Sequence, residues 1–319
     1  MPCYKGRVRG LAAAVLCALA VVPAAGARPL LGIKGNVDRF ESLTGQRSSV
    51  VHVIVGWNQG LTWGTPFVKL FLGLGGEPMI GLSTRTGPRE AITPAQIAAG
   101  KGDDYLIALN GAISAFAQPI YIRPFGEMNG YWNPYCAFTK SGRPKPGHST
   151  KSFRQAFARV YLIVHGGQKA VIDAKLRALG MPPVAHDLPE NPMPNTRVIW
   201  NPQGFGDPDI PANSAQAYYA GDAYVDVVGN DLYDIRGKAE WEANERLYRA
   251  HPKKPYSFPE WGLWGIDDPD FVRTMANFLR THKRTELAAY FESSPGSIFD
   301  LATKPHSRAA YRALITTLG

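Results

Sequence analysis

Short apolar runs alternate with longer amphipathic stretches along most of the chain, and this alternation is its strongest structural signal. Eight runs recur, over residues 31–34, 50–57, 78–83, 119–124, 197–201, 225–231, 255–260 and 287–292. Each is rich in β-branched or aromatic residues and lacks a clean period of two, which predicts parallel strands buried on both faces. Between them, Thr93-Pro94 reads as an N-cap and first-turn proline opening a helix to about Phe116, with a break near residues 100–102. Ser152 is expected to cap a helix ending near His165, and residues 269–282 read as another amphipathic helix. Residues 166–195 are dense in proline and glycine and predict a long insertion with one short helix around residues 171–179. Strands interleaved with helices predict an α/β fold, a closed (β/α)8 TIM barrel. An open doubly wound sheet would need a glycine-rich phosphate turn after its first strand, which Gly35-Asn36-Val37 does not supply.

The two ends of this pattern differ. Residues 1–27 carry Lys5, Arg7 and Arg9, then an apolar run over 11–22, then Pro23 and the small-residue site Ala25-Gly26-Ala27. That is the layout of a signal peptide, and the run falls short of the roughly 20 apolar residues that span a bilayer. A secreted or extracytoplasmic protein is expected, with one barrel domain over residues 28–319 and no membrane attachment after cleavage. Loss of the leader removes three positive charges from a net charge of +9. The remaining Lys and Arg are scattered rather than clustered on one helix, so no nucleic-acid partner is expected. Cys3 and Cys17 leave with the leader, so Cys136 alone remains and no intramolecular disulfide can form. A packed thiol is the expectation for it. The seven histidines show no ligand spacing, and no metal or cofactor is implied. The oligomeric state is not legible, and a monomer is the default.

In barrels of this kind, catalytic groups sit at the C-terminal ends of the strands. Polar and aromatic residues gather at those ends here: Trp57-Asn58-Gln59, residues 123–132, Trp200-Asn201, residues 230–233, Glu260-Trp261 and Glu292. Glu127 ends the fourth run and Glu260 the seventh, on strands that face each other across a barrel mouth. Glycoside cleavage needs two such carboxyl groups, about 5–5.5 Å apart when the anomeric configuration is retained. Aromatic neighbours suit the flat C–H faces of sugar rings, so a polysaccharide or oligosaccharide is the expected partner.

The segment Arg123-Pro124-x-x-Glu127-Met128-Asn129-Gly130-x-Trp132-x-Pro134 resembles the acid/base signature of glycoside hydrolase family 26, best known for β-mannanases. The similarity extends through Ile92-Thr93-Pro94, Gly100 to Tyr105, Val198 to Pro202 and Tyr219 to Tyr233. The resemblance implies a retaining (β/α)8 enzyme with Glu127 as proton donor and Glu260 as nucleophile. It further implies that Tyr233 hydrogen-bonds the nucleophile, that Arg123 sits beside it, and that Trp132 stacks on a sugar. Asn129, Trp57 and Trp200 are expected as further substrate contacts.

The family signature has histidine immediately before the acid/base, where this chain has Gly126. The glycine is expected to open space for a differently shaped sugar or a branch. Tyr290 to Ser294 also departs from the tryptophan and polar partner common near the family's eighth strand. Beside an endo-β-1,4-mannanase-like hydrolase stand a glycan-binding protein without turnover, a transglycosylase, and a hydrolase of another β-glycan such as β-1,3/1,4-glucan or xylan.

Overall fold

The computed structural model describes residues 28–319; the expected signal peptide, residues 1–27, lies outside the described residues. Eight parallel strands run in chain order: Leu30–Gly35 (β1), Val50–Val55 (β2), Glu77–Leu82 (β3), Ile120–Pro124 (β4), Thr196–Trp200 (β5), Val227–Gly229 (β6), Tyr256–Trp264 (β7) and Thr285–Ser293 (β8). Each pairs with its neighbours, and β8 pairs with both β7 and β1, so the sheet closes. The fold is the (β/α)8 barrel. Beyond β6, Leu232–Ile235 continues alongside the second half of β7.

The interior obeys the strand period of two. Val50, Met79, Tyr121, Ile199, Val227, Leu287 and Ala289 fill one buried layer inside the barrel, with Leu30 against it. Moving along the same inward face by steps of two brings Lys34 on β1, His52 and Ile54 on β2, Arg123 on β4 and Phe291 on β8 towards the mouth. A second, larger core lies between the strands and the helices around them.

Local chemistry sets the helices. Thr93 and Gln96 form a reciprocal capping box for Pro94–Ala98 (the third helix), and the break before Asp103–Phe116 falls at Gly100 and Gly102, both at positive φ. The helix over Thr150–His165 is capped by Ser149, with Ser152 three positions on as its capping-box partner rather than the cap itself. Ser149 wins because its hydroxyl accepts from the Ser152 N–H while the Ser152 hydroxyl accepts in return from the Ser149 N–H. The insertion after it holds one short helix, Lys169–Ala178. No helix among the described residues is long and apolar enough to cross a membrane.

Strand β7 differs from its sequence reading. It does not end at Glu260 but runs on to Trp264, with its register against β8 shifting between Phe258 and Trp261. Pro259 lacks an N–H, so the ladder cannot continue through it. The irregularity falls at Glu260, and bulges beside functional sites commonly serve to re-aim a side chain.

Candidate active site

Glu127 follows β4 in an unusual backbone. Phe125 and Glu127 both adopt left-handed φ, +53° and +56°, on either side of Gly126. Such conformations cost about 1–3 kcal/mol for a side-chain-bearing residue and persist only where the surroundings over-determine them. Here they do: the Glu127 N–H donates to the Asn201 carbonyl (2.7 Å), and Asn133 donates to the Glu127 carbonyl (3.0 Å). The carboxylate is gripped on both oxygens, Oε2 by the Trp132 indole N–H at 2.7 Å and Oε1 by the Gln203 side-chain amide. Gly130 makes the first grip possible, because a β-carbon there would overlap the Trp132 ring. Burial pushes the Glu127 carboxyl above its ordinary range, the charge of Glu260 pushes it further, and Arg123 opposes both.

Glu260 stands on the facing strand, 6% exposed. Arg123 Nη1 donates to its Oε1 at 2.8 Å, and the Tyr233 hydroxyl donates to its Oε2 at 2.7 Å. Arg123 is itself held by Asn201 (2.9 Å from Nε) and by an ion pair with Asp231. Burial works against the charge of Arg123, but Asp231 and Glu260 together hold it protonated. Burial, then the charge of Glu260, keep Tyr233 well above its usual range, so it remains a donor. Glu127, Asp231, Tyr233 and Glu260 line one cavity of about 790 Å³. Its walls are Trp132, Phe205, Trp264, Phe291 and Phe299, of which the first three are each about two-fifths exposed. A smaller cavity of about 130 Å³ adjoins on the other side of the two glutamates, lined by Ile54, Arg123, Gly126 and Tyr135.

Glu127, Glu260, Arg123, Trp132 and Tyr233 are therefore brought together. Three other expected sugar contacts are not. Trp200 is fully buried, its indole donating to the Tyr218 carbonyl and packing edge-on against Tyr219 and His251. Trp57 is buried against Tyr105, under the α-carbon of Gly102. Asn129 is fully buried and donates to the carbonyls of Gln203 and Phe205, so it holds a wall of the cavity rather than facing it. Trp57 and Trp200 have the parity opposite to the inward-facing Val50 and Ile199, a distinction that strand runs buried on both faces do not carry.

Space does adjoin Gly126, in the smaller cavity, but not where a side chain on it would point. A β-carbon there would stand 2.6 Å from Cζ of Arg123, so the guanidinium occupies the room a side chain would need.

The structure adds residues the sequence reading passed over. Gln203 and Phe205 come from the loop after β5, and Trp264 from the extension of β7. Lys34 reaches the mouth from β1 with its ammonium 3.9 Å from the Phe291 ring centre, and burial lowers it while Glu260 raises it. His52 is buried with Nδ1 3.5 Å from Glu260 Oε1, and burial, then the charges of Arg123 and Lys34, keep it neutral. Parity along β1 and β2 would have flagged both, had the register been known. Cys136 is buried with its thiol against Asn213 and Tyr218. Among the described residues no group of three or more His, Cys, Asp or Glu side chains could hold a metal ion.

A closed parallel barrel with polar groups gathered at the C-terminal mouth has the (β/α)8 architecture, in which functional sites lie at that face. Within that class, the fold is shared with β-mannanases of glycoside hydrolase family 26. One such structure, from Bacteroides ovatus, superposes with a TM-score of 0.55 at 15% identity, over 91% of this chain and 88% of that one. An endo-β-1,4-mannanase double mutant from Cellulomonas fimi gives 0.57 at 16% identity, over 90% and 71%. In sequence, Endoglucanase H of Acetivibrio thermocellus is 23% identical over 296 residues. That alignment covers 88% of this chain and 29% of the relative, so the chain spans under a third of that protein's length. No protein-family model matches the chain.

Proposed function

We propose that this chain is a secreted retaining glycoside hydrolase that cuts β-glycosidic bonds within a polysaccharide. The observation that carries the reading is the contrast between two glutamates lining one cavity. Burial pushes the Glu127 carboxyl up, in the direction a proton donor needs, while Glu260 faces the guanidinium of Arg123 and the hydroxyl of Tyr233. Two carboxyl groups in unlike surroundings are the requirement for this chemistry.

In the first step a Glu260 oxygen attacks the anomeric carbon as Glu127 protonates the departing glycosidic oxygen. The bond to the leaving glycan breaks, and a covalent glycosyl ester forms on Glu260. In the second, Glu127 takes a proton from water, whose oxygen attacks the anomeric carbon and frees Glu260. Arg123 and Tyr233 compensate the charge that returns to Glu260 as the ester breaks, and such charge-assisted bonds are worth roughly 1.5–3 kcal/mol each. Trp132, Phe205 and Trp264 supply apolar faces for sugar rings.

β-1,4-Mannan is the leading substrate, supported by the shared fold with the mannanases, and a β-glucan is the next, supported by the likeness to an endoglucanase. Secretion is supported by the pattern of residues 1–27. The test is a panel of mannan, xylan, β-1,3- and β-1,4-glucans and bacterial exopolysaccharides, with NMR of the first product formed. Release of the same anomer as the substrate is expected, with activity lost in Glu127→Gln and Glu260→Gln. Initial release of the inverted anomer, or undiminished turnover in either variant, overturns the assignment.

A further inference from the structure

His52 lies on the inward face of β2, one step above Val50 in the apolar layer of the barrel and one step below Ile54 at the mouth. It is 1% exposed, and neither ring nitrogen has a hydrogen-bond partner among the described residues. Buried polar groups are nearly always paired, and an apolar side chain would fill the same place without that cost. Gly81, opposite Ile54 on β3, makes room for the ring, since a β-carbon there would stand 3.1 Å from His52 Nε2. An imidazole kept here has to be explained by what it faces.

Its Nδ1 faces Oε1 of Glu260 at 3.5 Å. That is longer than a formed hydrogen bond, and a shift of about 0.5 Å closes it. Such bonds are often long in a site without substrate and tighten once the substrate is in place. Each carboxylate oxygen can accept two hydrogen bonds. The Tyr233 hydroxyl fills one position on Oε2 and Arg123 fills one on Oε1, so Oε1 has a position open.

The charge of the ring decides what it can offer. Burial, then the charges of Arg123 and Lys34, hold it neutral. A neutral imidazole has one N–H, and a carboxylate only accepts, so the proton belongs on Nδ1. Nε2 is left with its lone pair towards Gly81. A neutral donor fixes the direction of Glu260 and adds no positive charge to that of Arg123.

We propose that His52 is a positioning residue for Glu260: its Nδ1–H donates to the open side of Oε1 and, with Arg123 and Tyr233, holds the carboxylate in line for attack on the anomeric carbon. The role rests on the hydrolase reading above and gives the nucleophile of that reading a third donor.

The test replaces the ring in three ways. His52→Leu fills the volume without a donor, His52→Asn sets an amide N–H where Nδ1–H stood, and His52→Gln sets one where Nε2 stood. The substrate is β-1,4-mannan or mixed-linkage β-glucan, whichever the wild type cuts. His52→Leu should lower kcat and kcat/KM together by about tenfold or more, with KM little changed because the buried ring touches no sugar. His52→Asn should recover most of that loss and His52→Gln little of it. Losses that follow the thermal melts of the three variants, with no advantage for asparagine, overturn the proposal. A second measurement needs no substitution of His52. Nitrogen NMR of the wild-type protein labelled at histidine should show a neutral ring protonated at Nδ1, and Glu260→Gln should shift that resonance. The Nε2–H tautomer, or a resonance indifferent to Glu260→Gln, overturns the positioning role even where the His52 variants fail to fold, and leaves the hydrolase intact. Absence of cleavage of every glycan by the wild type overturns the hydrolase reading and the role with it.

Discussion

Gly126 lies flat against the guanidinium of Arg123, so that a β-carbon on the glycine would stand 2.6 Å from Cζ and Nη2 and 2.7 Å from Nε. The glycine is therefore not a vacancy beside Glu127 but the condition for Arg123 to reach Glu260. The backbone of Gly126 is not in the left-handed region, so alanine would meet no torsional penalty there, only this contact. Gly126→Ala should displace the guanidinium, weaken its bond to Glu260 and lower kcat, with a stability cost of about 1–3 kcal/mol typical of overpacking. Gly126→His, which places there the histidine of the family 26 signature, should cost more. Steady-state kinetics and thermal melts read both effects, and a Gly126→Ala enzyme with wild-type kcat and Tm would show that Arg123 is free to move.

Tyr233 tests the support of Glu260, the proposed nucleophile, from the other side. Its hydroxyl meets Glu260 at 2.7 Å, a bond between a neutral donor and a carboxylate. Tyr233→Phe removes it and leaves the ring against Trp264, Phe291 and Phe299. A loss of about 1.5–3 kcal/mol corresponds to roughly 10- to 150-fold in kcat/KM. Unchanged kinetics would mean that the hydroxyl is packing alone.

If Glu127 is the proton donor proposed above, its raised carboxyl should set the alkaline side of the pH profile. Burial and Glu260 push it up, so it keeps its proton above the ordinary value of about 4.3. The first step needs that proton, and kcat/KM should fall as pH rises through the shifted value. An aryl glycoside whose leaving group departs without protonation should lose this alkaline limb in Glu127→Ala. Persistence of the limb in that variant would assign it to another group.

Glu292, at the end of β8, makes a separate prediction about stability. It is buried and bonded to Arg39 and to the Leu301 N–H, and burial pushes its carboxyl up to about 7, with the neighbouring Asp300 adding to the shift. The unfolded chain releases that proton near about 4.3. Between these values the folded protein holds a proton that the unfolded one does not, so this contribution is full below about 4.3 and is lost as pH rises through about 7. Glu292→Gln should flatten the fall of Tm across that window. A slope identical to wild type would place the titration elsewhere.

Much of the fold was readable because its signals are local. β-Branched runs spaced by amphipathic stretches specified eight parallel strands, and Thr93-Pro94 with Gly100 and Gly102 marked the first broken helix. The two glutamates, Arg123, Trp132 and Tyr233 were legible as a short pattern and its distant partners. What a strand buried on both faces cannot declare is which side each residue takes, since both sides are apolar. The inward parity that brings Lys34 and His52 to the mouth, the register shift beside Glu260, and the loop that carries Gln203 and Phe205 to Glu127 exist only once the barrel closes. So does the burial of Trp57, Trp200 and Asn129. Sequence determined which chemical groups the chain carries; tertiary structure decided which of them stand together at the mouth, because facing and depth follow from register and closure rather than from residue type.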